Sequence, residues 1–146
     1  MSTRCLIAYQ HANGEIESVY CHSDGYVSGV GKMLVKDYQD DDKILNLIQR
    51  GDFSSLCPEI GEIKFYKPIY QSDNYSHNNE YCFIDYADPS EHEYLYKFEA
   101  NDSKWFGRGR WEVSQAKTVE VEDGYKELAY YYSEFKPVSE LITEVA

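Results

Sequence analysis

Between two β-favouring runs the chain places Asn13-Gly14, and that pair constrains the fold more than any other feature. Asn-Gly is the strongest short-range hairpin signal, because both central residues of a tight hairpin turn need φ > 0. Before it lies residues 3–10, Thr-Arg-Cys-Leu-Ile-Ala-Tyr-Gln. After it, Glu15 to His22 alternates, with Ile16, Ser18 and Tyr20 on one face and Glu17, Val19 and Cys21 on the other. The chain therefore opens with a β-hairpin.

Asp24-Gly25 breaks the second strand. Val27, Val30, Leu34 and Tyr38 then recur at helical spacing, with Ser28 or Asp24 as the expected cap. Gly29 and Gly31 weaken this helix by roughly 1 kcal/mol each against Ala. Their presence implies that a strand or a ligand passes close. A second helix is better punctuated: Asp40, Asp41 and Asp42 lead it, Ile44, Leu47 and Ile48 form its buried stripe, and Arg50-Gly51 closes it. Residues 52–61 read as loop, Glu62 to Tyr66 as a short strand, and Pro68 to Asn79 as a polar connection.

Three further runs, Tyr81 to Tyr86, Glu93 to Glu99 and Lys104 to Val113, suit a β-meander. Turn chemistry at Asp88-Pro89-Ser90 and Asn101-Asp102 separates them, and Gly107 and Gly109 suggest a bulge or bend in the last. Near the C-terminus Tyr125, Leu128, Ala129, Tyr132 and Phe135 form a helical stripe, although Tyr130-Tyr131-Tyr132 suits a strand as well. Pro137 stops or redirects it, and Val138, Leu141, Ile142 and Val145 repeat the pattern. With no repeat, linker or boundary in view, the expectation is a single α+β domain over residues 1–146. It is built as an antiparallel β-sheet, the N-terminal hairpin plus the C-terminal meander, with helices packed on one face.

Charge narrows the function classes. The 146 residues carry 26 acids and 14 bases, net −12, and their 15 tyrosines set them apart from a disordered acidic tail. Residues 1–36 are balanced, 37–102 hold fifteen acids against five bases, 103–112 are net +2 and 113–146 net −4. Such a chain is a poor match for phosphate neutralisation, so direct nucleic-acid and anionic-membrane binding are not expected. No run of apolar residues is long enough for a membrane span, and the opening residues turn polar too quickly for a signal peptide. The expected location is the cytoplasm, with Cys5, Cys21, Cys57 and Cys82 as reduced thiols.

The densest chemistry lies in Tyr20-Cys21-His22-Ser23-Asp24-Gly25-Tyr26 followed by Gly29-Val30-Gly31-Lys32. A Walker loop fails here, since the glycine spacing is one residue too long and Met33 occupies the hydroxyl position. An anion contact through glycine-rich backbone and Lys32 survives, as does plain close packing. Cys21 and His22 point to opposite faces, and no nucleophile lies in local reach of His22, so no catalytic residues are assigned. His11, His22, His77 and His92 lack metal-ligand spacing, and Asp40 to Asp42 lacks the calcium-loop alternation. Neither a metal nor a cofactor is expected. Trp105, Arg108, Arg110 and Trp111 make one basic aromatic patch, suited to a buried strand or to stacking on a base.

The segments Ser2-Thr3-Arg4, Tyr20-Cys21-His22-x-Asp24-Gly25-Tyr26, Gly29-Val30-Gly31-Lys32-x-Leu34 and Gly51-Asp52-x-Ser54-Ser55-Leu56 resemble a group of small proteins of phage, prophage and other mobile-element genomes. The resemblance covers the first 56 residues or so, and Ser23 stands where such relatives often carry Trp. It implies an accessory gene of a mobile element and brings no active-site residues with it. With the charge distribution, it leads to the expectation of a phage-derived counter-defence inhibitor. This would be a non-enzyme that imitates nucleic acid and occupies the groove of a basic host protein, of anti-CRISPR or anti-restriction type, in the host cytoplasm. Its expected contacts are Asp40, Asp41, Asp42, Asp85, Tyr86, Asp88, Glu91, Glu93, Tyr94 and Tyr96. The alternative is a small-ligand or nucleotide-binding module using Tyr20, His22, Asp24, Tyr26 and Lys32. The oligomeric state is left open.

Overall fold

A computed structural model describes residues 3–68, 74–100, 110–122 and 126–145. The hairpin forms as expected: β1 (Cys5–Gln10) pairs antiparallel with β2 (Ile16–Cys21), Cys5 opposite Cys21. Its turn is longer than the tight form. Gly14 N–H donates to His11 O at 2.9 Å and His11 N–H to Glu15 O at 2.8 Å, and only Gly14 has positive φ (94°). Asn13 contributes through its side chain, which accepts from Glu15 N–H at 3.0 Å.

The next segment starts as a π-helical turn (Val27–Gly31) and continues as α1 (Lys32–Asp37). Neither Ser28 nor Asp24 caps it; Tyr26 precedes the turn with no side-chain cap. The glycine puzzle resolves as packing. A Cβ on Gly31 would sit 3.2 Å from the Tyr96 ring and 3.3 Å from Val138, so a strand residue and a helix residue both press on this turn. Helix α2 (Asp41–Arg50) buries Ile44, Leu47 and Ile48 as its spacing predicts, and Gly51 (φ 91°) ends it. The following loop is less peripheral than it reads. Phe53 is fully buried and bridges Cys21 on one side and Phe65 on the other. The expected strand from Glu62 reduces to that single bridge after a 3-10 turn at Ile60–Glu62.

Three expectations need correction. Tyr81 to Tyr86 is helix, not strand: α3 (Glu80–Tyr86) begins at Asn79, whose Oδ1 accepts from Cys82 N–H at 2.9 Å. Within the polar connection that precedes it lies a short strand, β3 (Tyr75–His77). The C-terminal stripe from Leu128 to Tyr132 is strand, β6 (Lys126–Tyr132), as the tyrosine run allowed; Tyr125 lies outside the described residues. The third correction concerns the sheet, which is mixed and not purely antiparallel. β4 (Tyr94–Glu99) runs parallel to β1, pairing Cys5 with Tyr94 through to Gln10 with Glu99.

β5 (Arg110–Glu122) starts later and runs further than the expected Lys104 to Val113, whose residues 104–109, with Trp105, Gly107, Arg108 and Gly109, lie outside the described residues. It pairs with β4 through its first half and with β6 through its second. The strand order is β3-β2-β1-β4-β5-β6, with β7 (Lys136–Pro137) beside β5. Pro137 sits directly before α4 (Val138–Val145), where the second apolar repeat was read. No helix among the described residues is long and apolar enough to cross a membrane.

Strand alternation then sorts the core, and the helices do not share one face. Cys5, Ile7, Tyr9, Val19, Cys21, Tyr96, Phe98, Trp111 and Val113 join Leu34, Leu47, Ile48 and Val138 from α1, α2 and α4 in one large cluster. Leu6, Ala8, Ile16 and Leu95, at the alternate positions of the same strands, meet Phe83 of α3 in a smaller cluster on the opposite face.

Candidate interaction surface and ligand cleft

α3 is a short helix, and its sequence divides its sides sharply. Phe83 is fully buried and Ala87 follows it four residues on, pinning the helix to the sheet. Tyr81 and Asp85, also four apart, share the outward side. Tyr81 is 78% exposed. Tyr86 and Tyr75, 42% and 40% exposed, pack ring to ring at 5.3 Å, so β3 extends the aromatic surface beside the helix. Tyr86 also rests on His77, whose buried imidazole lies 2.9 Å from the Ser18 hydroxyl; burial lowers its pKa.

The turn after α3 adds carboxylates. Asp88 accepts from the Ser90 hydroxyl at 2.7 Å and from Ser90 N–H at 3.0 Å, which holds its carboxyl below the usual range. Glu91 is neutralised by Arg4 at 2.7 Å. Asp85, Asp88 and Glu93 are exposed, with no Lys or Arg within ion-pair distance among the described residues.

The expected contacts do not all converge here. Asp85, Tyr86, Asp88, Glu91 and Glu93 follow one another along α3 and the turn after it. Asp40, Asp41 and Asp42 stand at the start of α2, on the other face of the sheet, where the Tyr9 hydroxyl donates to Asp41 at 2.7 Å. Arg4, holding Glu91, and Tyr9, holding Asp41, lie at opposite ends of β1, about 16 Å apart along a strand. The acidic residues thus form two separate groups. Tyr96 leaves the surface altogether: it is fully buried, and its hydroxyl donates to Gly25 O at 2.6 Å. Tyr94 is half-buried on the same side, stacked near Tyr96 and accepting from Gln115 at 3.3 Å. Tyr75 and Tyr81 were missed by sequence reasoning. The Asn79 cap and the Phe83–Ala87 spacing carried the signal that would have found Tyr81.

The alternative set divides as well. Asp24, Tyr26 and Lys32 line one cleft of about 340 Å³, together with Lys36, Asp37 and Leu56. Tyr20 and His22 are not in it. The Tyr20 hydroxyl lies 2.8 Å from His22 Nδ1, and its ring meets His92 edge-on at 5.8 Å, next to the α3 side. Asp24 has φ 58°, an uncommon conformation for a residue with a side chain, and Tyr26 donates to its carboxylate at 3.2 Å. Lys36 was not singled out earlier, although it lies one helical turn from Lys32.

A second cleft opens on the α3 face around Lys97, which is only 3% exposed. Its ammonium lies 3.1 Å from Glu80, 3.7 Å from Glu112 and 3.9 Å from Glu99, and 4.8 Å over the Phe135 ring. Burial raises the Glu112 pKa, and Lys97 opposes that shift. Compared with protein-family models, curated proteins and solved structures, the chain finds no match.

Proposed function

We propose that this protein is a non-enzymatic binding protein whose β3–α3 face docks into the cationic groove of a nucleic-acid-handling protein and excludes nucleic acid from it. One observation carries the reading: Tyr81 and the packed pair Tyr75–Tyr86 are exposed on α3 and β3, and Asp85, Asp88 and Glu93, in and just after α3, have no Lys or Arg within ion-pair distance among the described residues. Tyrosine supplies rigid contact area at low entropic cost, and a concentrated negative field speeds encounter with a basic partner. The α2 acids lie at the far end of β1 and stay outside this interface. The N-terminal motif residues favour the counter-defence setting of a phage or other mobile element, with a restriction or CRISPR complex as the class of partner.

The test is displacement of a fluorescent oligonucleotide from such complexes, read by anisotropy. Wild-type protein is expected to displace it, with affinity falling about tenfold between 50 and 200 mM salt. D85K/D88K/E93K should abolish displacement; Glu91 is left intact because it holds Arg4. Unchanged displacement by that triple variant would show that the face is misassigned.

A further inference from the structure

We propose that the cleft between the Val27–Gly31 turn, α1 and the Leu56–Pro58 loop binds a small ligand carrying one phosphate and a planar ring, of the nucleoside monophosphate class. Lys32 and Lys36 are both exposed, lie on one side of α1 and line the cleft. Neither has a carboxylate within ion-pair distance among the described residues, whereas Arg4 and Lys97 are each held by acids. In a chain of net charge −12, two adjacent uncommitted ammonium groups facing one concavity are well placed for an anionic group.

The rest of the lining defines the ligand further. Asp24 and Asp37 put two carboxylates in the same rim, so the cleft is balanced in charge. That suits a single phosphate and disfavours a polyanion, and the carboxylates can accept from sugar hydroxyl or base amino groups. Tyr26 and Leu56 offer apolar area for a ring, and about 340 Å³ falls at the lower end of small-molecule sites.

The wall is also set before any ligand arrives. Val30 N–H donates to Asp24 O at 2.9 Å, Gly25 N–H to Thr3 O at 2.8 Å, and the buried Tyr96 hydroxyl to Gly25 O at 2.6 Å. A preformed cleft avoids the ordering cost of binding. This site is independent of the β3–α3 face.

Thermal unfolding and calorimetric titration with AMP, GMP, their cyclic forms, adenosine and inorganic phosphate test the assignment. At least one nucleoside monophosphate should raise Tm by about 5 °C at a hundred times its Kd. K32E/K36E should weaken that ligand at least tenfold, while K117E, on the exposed part of β5, and D85K/D88K/E93K should leave it unchanged. No response to any nucleotide, or a response that survives in K32E/K36E, would overturn the proposal. An equal response to inorganic phosphate alone would overturn the assignment of a ring.

Discussion

The two faces of the sheet are covered by different means. Under α1, α2 and α4 the strands present Ile7, Val19, Phe98 and Val113 to Leu34, Leu47 and Ile48, a deep layer in which helices meet strands through apolar side chains. Under α3 the layer is thin: Leu6, Ala8, Ile16 and Leu95 meet Phe83, and beyond them the face continues as Lys97 and its glutamates. The contrast separates two tasks. The thick face supplies rigidity and builds the Lys32–Lys36 cleft at its edge, while the thin face turns its outer residues, tyrosines and carboxylates, to solvent.

The sharpest way to break this comparison is to remove the same atoms from both faces. Leu47→Ala on the thick face should cost about 4 kcal/mol in urea unfolding, because the surrounding layer cannot collapse into the cavity. Leu95→Ala, equally buried but beside the Lys97 cleft, should cost about 2.5 kcal/mol. Equal costs would mean that the two cores are packed alike.

Lys97→Met should cost about 2 kcal/mol at pH 7, since it removes the buried ammonium that sits among Glu80, Glu99 and Glu112. Acidification should shrink that cost as Glu112, whose pKa burial raises, takes up a proton. A penalty that does not change with pH would indicate lost packing alone. Tyr96→Phe, on the thick side, should cost about 1–2 kcal/mol by leaving Gly25 O without its buried donor. It should also loosen ligand binding in the cleft that this bond helps to shape.

The smallest effect concerns His77. Its folded-state pKa is lowered by burial, so as pH falls through about 6.5 the unfolded chain binds the proton first and stability is lost. Tm should therefore decline on acidification through that range, and His77→Gln should flatten the decline while keeping a partner for Ser18.

How much of this was legible depended on distance along the chain. The hairpin, the stripe of α2 and the apolar positions of α1 and its two ends were written locally, in Asn13-Gly14, in Ile44-Leu47-Ile48 and in Val30-Leu34-Tyr38. α3 was not, because Tyr81 to Tyr86 is rich in residues that favour strands; the Asn79 cap and burial of Phe83 decide it. β6 shows the reverse, a helical spacing overridden by pairing along the second half of β5. The parallel pairing of β1 with β4 leaves no local trace at all. The candidate surface followed the same rule: Asp85 to Glu93 lie together because they are one run, while the split from Asp40 to Asp42 and the burial of Tyr96 depend on which strands become neighbours.

That parallel pairing has a consequence for how the chain matures. One edge of β1 is satisfied early by β2, a few residues away, but the other waits for a partner opposite Cys5 that lies at Tyr94. During synthesis at roughly 5–20 residues per second, a hydrophobic strand edge stands open for several seconds. A nascent chain halted short of β4 would carry an adhesive margin, which the arrival of residues 94–99 passes to β4 and only the pairing of β5 then covers.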